Sequence, residues 1–183
     1  MQQFKLFPWT AGTYTSALSS PSVAEGNCML GETMILTPLG EKRIDELKTG
    51  DQVVTGDNRI VKIKSVQKYV NKNRNWRPYL LPKGTFEGKL PNRDLYISKF
   101  HAYKIYGEWR HVECNKNFKY SKKHNEEYEV TYYNLELPDF HKDTFIANGL
   151  EVECWDGVKI FEGKCLRNYK WVCEKDKCYK KLN

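Results

Sequence analysis

From Cys28 onward the chain is a succession of short runs suited to strands, separated by Gly, Asn and Pro turns, and this pattern excludes a helical fold. T-M-I-L-T runs into P-L-G, and Q-V-V-T into G-D-N. I-V-K-I-K-S-V-Q-K-Y-V alternates apolar and polar residues over Ile60 to Val70, the pattern of one half-buried strand. D-L-Y-I-S, A-Y-K-I-Y, W-R-H-V, Y-E-V-T-Y-Y-N-L-E-L, T-F-I-A and L-E-V-E-C follow. Only I-D-E-L-K-T-G-D reads as a helical turn, stopped by Gly50. With no internal repeat and no long amphipathic helix, the expected fold class is all-β, closed or folded over on itself.

A chain of 183 residues suggests one domain with appendages. Residues 1–27 read as a flexible N-terminal arm, an aromatic tip (M-Q-Q-F-K-L-F-P-W) on a Thr/Ser/Ala/Gly linker. Residues 28–157 are the β domain, and 158–183 a basic, Cys-containing C-terminal extension set apart from the main sheet. Residues 71–93 are the least regular stretch and read as a surface excursion. The net charge of +7 is uneven, with eight Lys/Arg against one Glu between Val61 and Lys89, and eight against three acids from Val158 to Asn183. Such surfaces attract acidic proteins or nucleic acid. The first ten residues lack a signal-peptide pattern, and no apolar run is long enough for a membrane span. Synthesis in a reducing cytoplasm is expected, with the six Cys as thiols.

Cys28 stands where the linker enters the first strand. A cysteine there can attack the carbonyl of Asn27 and replace the peptide bond with a thioester. For a relaxed amide this N-to-S acyl shift is uphill, so the fold must supply strain, donors to the oxyanion and an acid for the leaving amine. A thiol suits the attack because it is nucleophilic even when only partly ionised. S-K-F-H offers the partners: Ser98 would donate to the scissile group, and His101 would protonate the amide nitrogen of Cys28.

These segments resemble the hedgehog/intein (Hint) family. C-M-L-G-E-T-M-I-L-T-P-L-G-E-K-R-I-D-E-L-K-T-G-D-Q-V-V-T is similar to its opening motif, a nucleophile and short strand leading to I-x-x-L-x-x-G-D-x-V. L-Y-I-S-K-F-H resembles the second motif, usually Thr-x-x-His, and Y-N-L-E-L-P-D-F-H-K-D-T-F-I-A-N-G-L-E-V-E-C the closing one. The wording is nearest the Hint branch outside true inteins. The resemblance implies a pseudo-twofold, horseshoe-shaped β fold. It implies Cys28 as nucleophile, Ser98 and His101 as its activators, and His141 as a later-step residue; an enzyme acting on itself in this way needs no cofactor. Ser98 stands where Thr is usual, and Glu153 and Cys154 stand where inteins carry His-Asn. Without that Asn no side-chain amide can cyclise, so splicing is not expected. Hedgehog-type domains place an acid in the strand before the second motif; I-K-S-V-Q-K-Y-V has none.

Two functions follow. One is single-turnover autoprocessing through a Cys28 thioester, removing or transferring residues 1–27. The other is a non-cleaving structural or interaction protein on the same fold, such as a minor capsid or virion component of a large DNA virus. Protein partners would then dock on the N-terminal arm and the C-terminal extension. Nucleic-acid binding through Trp76, Tyr79, Phe86 and the surrounding basic residues ranks behind both, since no reading motif is present. Cys154, Cys165, Cys173 and Cys178 lack the paired spacing of a zinc site and read as packing thiols. His111 and His124, outside any motif, read as surface residues.

Overall fold

The computed structural model describes residues 28–72, 77–99, 101–112 and 129–155, and the backbone of four strands beyond them, at 160–161, 164–165, 169–174 and 177–182. The arm of residues 1–27 lies outside the described residues, as does His124. In chain order the strands are β1 (Met29–Leu30), β2 (Met34–Thr37), β3 (Gly40–Arg43), β4 (Gln52–Val54), β5 (Ile60–Lys62), β6 (Ser65–Asn71), β7 (Tyr79–Leu81), β8 (Leu95–Ile97) and β9 (Ala102–Ile105). They continue as β10 (Glu108–His111), β11 (Val130–Glu136), β12 (Thr144–Ala147), β13 (Leu150–Glu153), β14 (Ile160–Phe161), β15 (Lys164–Cys165), β16 (Tyr169–Glu174) and β17 (Lys177–Leu182). Apart from strands there are two single 3₁₀ turns, Ile44–Glu46 and Glu87–Lys89, among the described residues. No helix among them is long and apolar enough to cross a membrane.

A five-stranded sheet has the order β6-β11-β1-β8-β7, and an eight-stranded sheet the order β16-β17-β10-β9-β13-β12-β2-β3. Both contribute to one core. Met29, Leu81, Leu95, Ile97 and Leu135 of the first sheet pack in the same cluster as Ile35, Tyr103, Phe145, Leu150 and Val152 of the second. Each large apolar side chain buried there contributes about 1.5–3 kcal/mol relative to exposure. The short β1 lies in the middle of its sheet, with Met29 opposite both Tyr133 and Ile97.

Turn chemistry sets the hairpins. Asn148 (φ 47°) and Gly149 (φ 81°) are both left-handed and join β12 to β13 in two residues, the type I′ pattern that Asn-Gly favours. Asn148 also ties three segments together. Its Oδ1 accepts the Met34 N–H at 2.8 Å, its Nδ2 donates to the Asp94 carbonyl at 3.0 Å, and its own carbonyl accepts the Asn92 N–H at 2.8 Å.

Three expectations change. The alternating run at 60–70 is two strands in two different sheets, β5 pairing with β4 and β6 with β11. The chain turns between them because Ile63 is buried and bonded on both sides, its N–H to the Asp51 carbonyl at 2.8 Å and its carbonyl to the Gly50 N–H at 2.9 Å. Within the irregular stretch 71–93, Tyr79–Leu81 forms β7, the edge of the five-stranded sheet, with Leu81 fully buried. The C-terminal extension also joins the large sheet, since β17 pairs with β10 at Trp109↔Cys178 and β16 becomes its edge. A sheet edge at β10 has unpaired backbone groups to satisfy, and the last hairpin satisfies them.

Candidate active site

Cys28 enters β1 at the centre of the five-stranded sheet and is only 7% exposed. It packs in a small cluster with Leu30, Val130 and Tyr132, flanked by Tyr69 and Tyr96. The cluster forms because β1 is wedged between β11, which brings Tyr132, and β8, which leads into Ser98. The Cys28 N–H donates to Ser98 Oγ at 2.9 Å, and the Ser98 N–H donates back to the Cys28 carbonyl at 2.7 Å. Seventy positions apart in sequence, the two residues are therefore clamped at both backbone and side chain. The Ser98 hydroxyl thus accepts from the nitrogen of the expected scissile bond. The attacked carbonyl would belong to Asn27, which lies outside the described residues.

His101 follows three residues later, its N–H donating to the Ser98 carbonyl at 3.1 Å. The imidazole is fully buried, and neither ring nitrogen has a hydrogen-bond partner among the described residues. Burial pushes its pKa down from 6.5 to about 4, against the backbones of Cys28 and Glu153, which lie beside the ring and pull it upward. The ring is therefore neutral near pH 7, held between the start of β1 and the end of β13.

Glu153 closes the other side. It is 1% exposed, and its Oε1 accepts the Ala102 N–H at 2.8 Å. Tyr69 is a further neighbour. Burial, then the negative charge that Cys28 carries when it is a thiolate, raises its pKa. Neither residue was expected at the site. Glu153 had one signal, its place in the closing motif; Tyr69 had none, because only the β6–β11 register brings Tyr69 opposite Tyr132.

The remaining candidates lie apart. His141 is exposed on the turn before β12, its N–H bonded to Asp139 Oδ1 at 3.0 Å and its ring edge-on to Phe140. Cys154 is completely buried, its Sγ–H donating to the Asp143 carbonyl at 3.3 Å, as expected of a packing thiol. Cys173 and Cys178 are directly opposed in the β16–β17 register, and Cys165 lies opposite Ile160. His111, expected at the surface, is 6% exposed, because its β10 position pairs with Ala102 inside the sheet. The described residues contain no cluster of three or more His, Cys, Asp or Glu able to hold a metal.

Fold and site together define an all-β domain of the class from which self-processing modules derive. The Hint domain family profile matches residues 27–157, and the chain belongs to that family. No curated protein matches the chain. Among solved structures, the gp41-1 intein is similar at 16% identity and TM-score 0.51, covering 70% of this chain and 99% of its own. A variant of the Ssp DnaB mini-intein is similar at 12% identity and TM-score 0.51, covering 72% and 96%. The Msm DnaB1 intein splicing domain, in a structure bound with zinc, shares 11% identity at TM-score 0.51, covering 68% and 98%. At such identities the likeness concerns the fold alone.

Proposed function

We propose that residues 28–157 act as a self-processing module in which Cys28 converts the Asn27–Cys28 peptide bond into a thioester, without splicing. The observation that carries this reading is the grip on the scissile nitrogen, whose N–H donates to Ser98 Oγ at 2.9 Å. The fully buried imidazole of His101, with the Cys28 backbone beside the ring, supports it. Since His101 is neutral near pH 7, it begins as a proton acceptor. It takes the thiol proton as Sγ bonds to the Asn27 carbonyl carbon. The proton then passes to the Cys28 nitrogen as the C–N bond breaks. The step consumes no net proton, and a thioester and an amine replace a thiol and an amide. It needs neither a cofactor nor His141. Release of the C-terminal flank has no counterpart, since Glu153 and Cys154 offer no side-chain amide to cyclise.

The test is the intact mass of fresh protein with and without added thiol. Wild type should lose residues 1–27 faster with thiol, Cys28→Ala should stay whole, and Ser98→Ala should slow by about 10²-fold, in the range of a lost positioned polar group. Wild type left whole under thiol for days overturns the reading. A non-cleaving structural or interaction role, such as a minor capsid or virion component, then takes its place. That second reading is favoured by the burial of Cys28 in an apolar cluster, as packing thiols are buried.

A further inference from the structure

We propose that Glu153 is the positioning residue for His101, an inference that rests on the self-processing reading of this same site. β13 runs antiparallel to β9, with Glu151 opposite Lys104 and Val152 opposite Tyr103. Continued by one step, that register brings Glu153 beside Ala102, at the point where the ladder stops. There a side chain replaces the ladder, the Glu153 carboxylate accepting the Ala102 N–H at 2.8 Å in a fully buried setting. One peptide earlier, the His101 N–H is held by the Ser98 carbonyl at 3.1 Å.

The backbone of His101 is thus pinned on both sides. Ser98 fixes its own N–H and Glu153 fixes the N–H that follows it, leaving the imidazole only its two side-chain torsions. Those torsions are confined by burial, with the Glu153 backbone itself beside the ring. A side-chain oxygen that accepts a buried backbone N–H is held in place by the cost of leaving that donor unpaired, so the bond fixes the local geometry. The bond to Ala102 acts on the backbone next to His101, so the contribution of Glu153 passes through the orientation of His101.

The experiment uses the full chain, with Glu153→Ala and Glu153→Gln beside wild type, read two ways. Thiol-induced cleavage is followed in single-turnover format, and the His101 ring nitrogens are observed by ¹⁵N NMR in the Cys28→Ala background, where the chain stays whole. Glu153→Gln keeps an oxygen facing the Ala102 N–H. It should cleave within about 3-fold of wild type and keep the wild-type ring shifts, whereas Glu153→Ala should cleave about 10²-fold more slowly, the cost of a reacting group displaced by about 1 Å. In Glu153→Ala the ring shifts should also collapse toward averaged, mobile values. If Glu153→Ala does not fold, Glu153→Asp, which withdraws the acceptor by one methylene, takes its place with the same expectations. Wild-type ring shifts in Glu153→Ala, or Glu153→Gln as slow as Glu153→Ala, would overturn the proposal. A wild type that never cleaves overturns the parent reading instead, and the ring shifts then decide the positioning role alone.

Discussion

Replacing Asn148 tests how far one turn residue holds the two sheets in register. The side chain is 3% exposed, accepts from Met34 and donates to Asp94, while its backbone sits at φ 47°. Asn148→Ala abolishes both side-chain bonds. The Met34 N–H, half-buried in β2, then lacks its acceptor at a cost of about 1–2 kcal/mol, and the Asp94 carbonyl, on an exposed residue, regains water for about 0.5 kcal/mol. Forcing Ala into the left-handed region adds about 1 kcal/mol. The sum is about 3 kcal/mol, a large fraction of the 5–15 kcal/mol typical of a whole domain. For a chain of this size it lowers Tm by roughly 6–12 °C. Asn148→Gly loses the same bonds without the backbone strain, partly offset by its freer unfolded state, and should be about 0.5–1 kcal/mol less harmful than Ala. The assay is urea and thermal unfolding in the Cys28→Ala background, followed by Trp fluorescence. A loss below about 1 kcal/mol in Asn148→Ala, or a Gly variant less stable than the Ala variant, refutes the reasoning.

Two further expectations concern proton linkage and packing. His101 has a folded pKa of about 4 against 6.5 when free, so the folded state binds its proton more weakly. Stability from this group is complete above pH 6.5 and declines as the pH falls toward 4, by about 3 kcal/mol, and His101→Gln should remove that slope from urea titrations. The ion-paired carboxylates act lower. Asp57, held at about 2 first by Arg59 and then by Thr55, contributes above its usual 3.8 and loses that contribution only as the pH falls toward 2. An unchanged slope between pH 6.5 and 4 in His101→Gln would place the titrating group elsewhere. At Gly56 a Cβ would sit on the Glu151 carboxyl, which already accepts from Thr144 at 3.0 Å and pairs with Lys104 at 3.3 Å. Gly56→Ala should therefore cost about 1–3 kcal/mol by calorimetry, and no measurable loss would mean that the carboxylate simply swings away.

The elements that sequence reasoning recovered are those whose cause is local. The Asn148-Gly149 turn, the 3₁₀ turn before Gly50, and strands such as β8 and β12 carry their own turn residues and alternation. What stayed hidden depends on partners far along the chain. Alternation from Ile60 to Val70 reports that one face is covered but not by which sheet, so β5 and β6 read as one strand. β7 and β17 each pair at an edge, β7 from an irregular stretch and β17 from a Lys-rich tail, and neither pattern announces its partner. At the candidate site, the motifs named Cys28, Ser98 and His101, and hydrogen bonds link these three in the fold. The bond that Ser98 accepts from the Cys28 N–H was not legible, because it depends on β8 pairing with β1. Glu153 was read as the place of a missing amide; its bond to Ala102 gives it a different occupation.

The central place of β1 has a consequence for timing during synthesis. Met29 is made early, yet its neighbours are Ile97 on one side and Tyr133, 104 residues later, on the other. At typical elongation of about 5–20 residues per second, the first strand waits roughly 5–20 s for its second neighbour. The grip on Cys28 needs Ser98, and the wall beside His101 needs Glu153, so the pocket is finished only when the closing hairpin has emerged. On the proposed self-processing reading, a nascent chain would carry its thiol past the ribosome unarmed, and the residues before Cys28 would have that interval to fold before any bond is at risk.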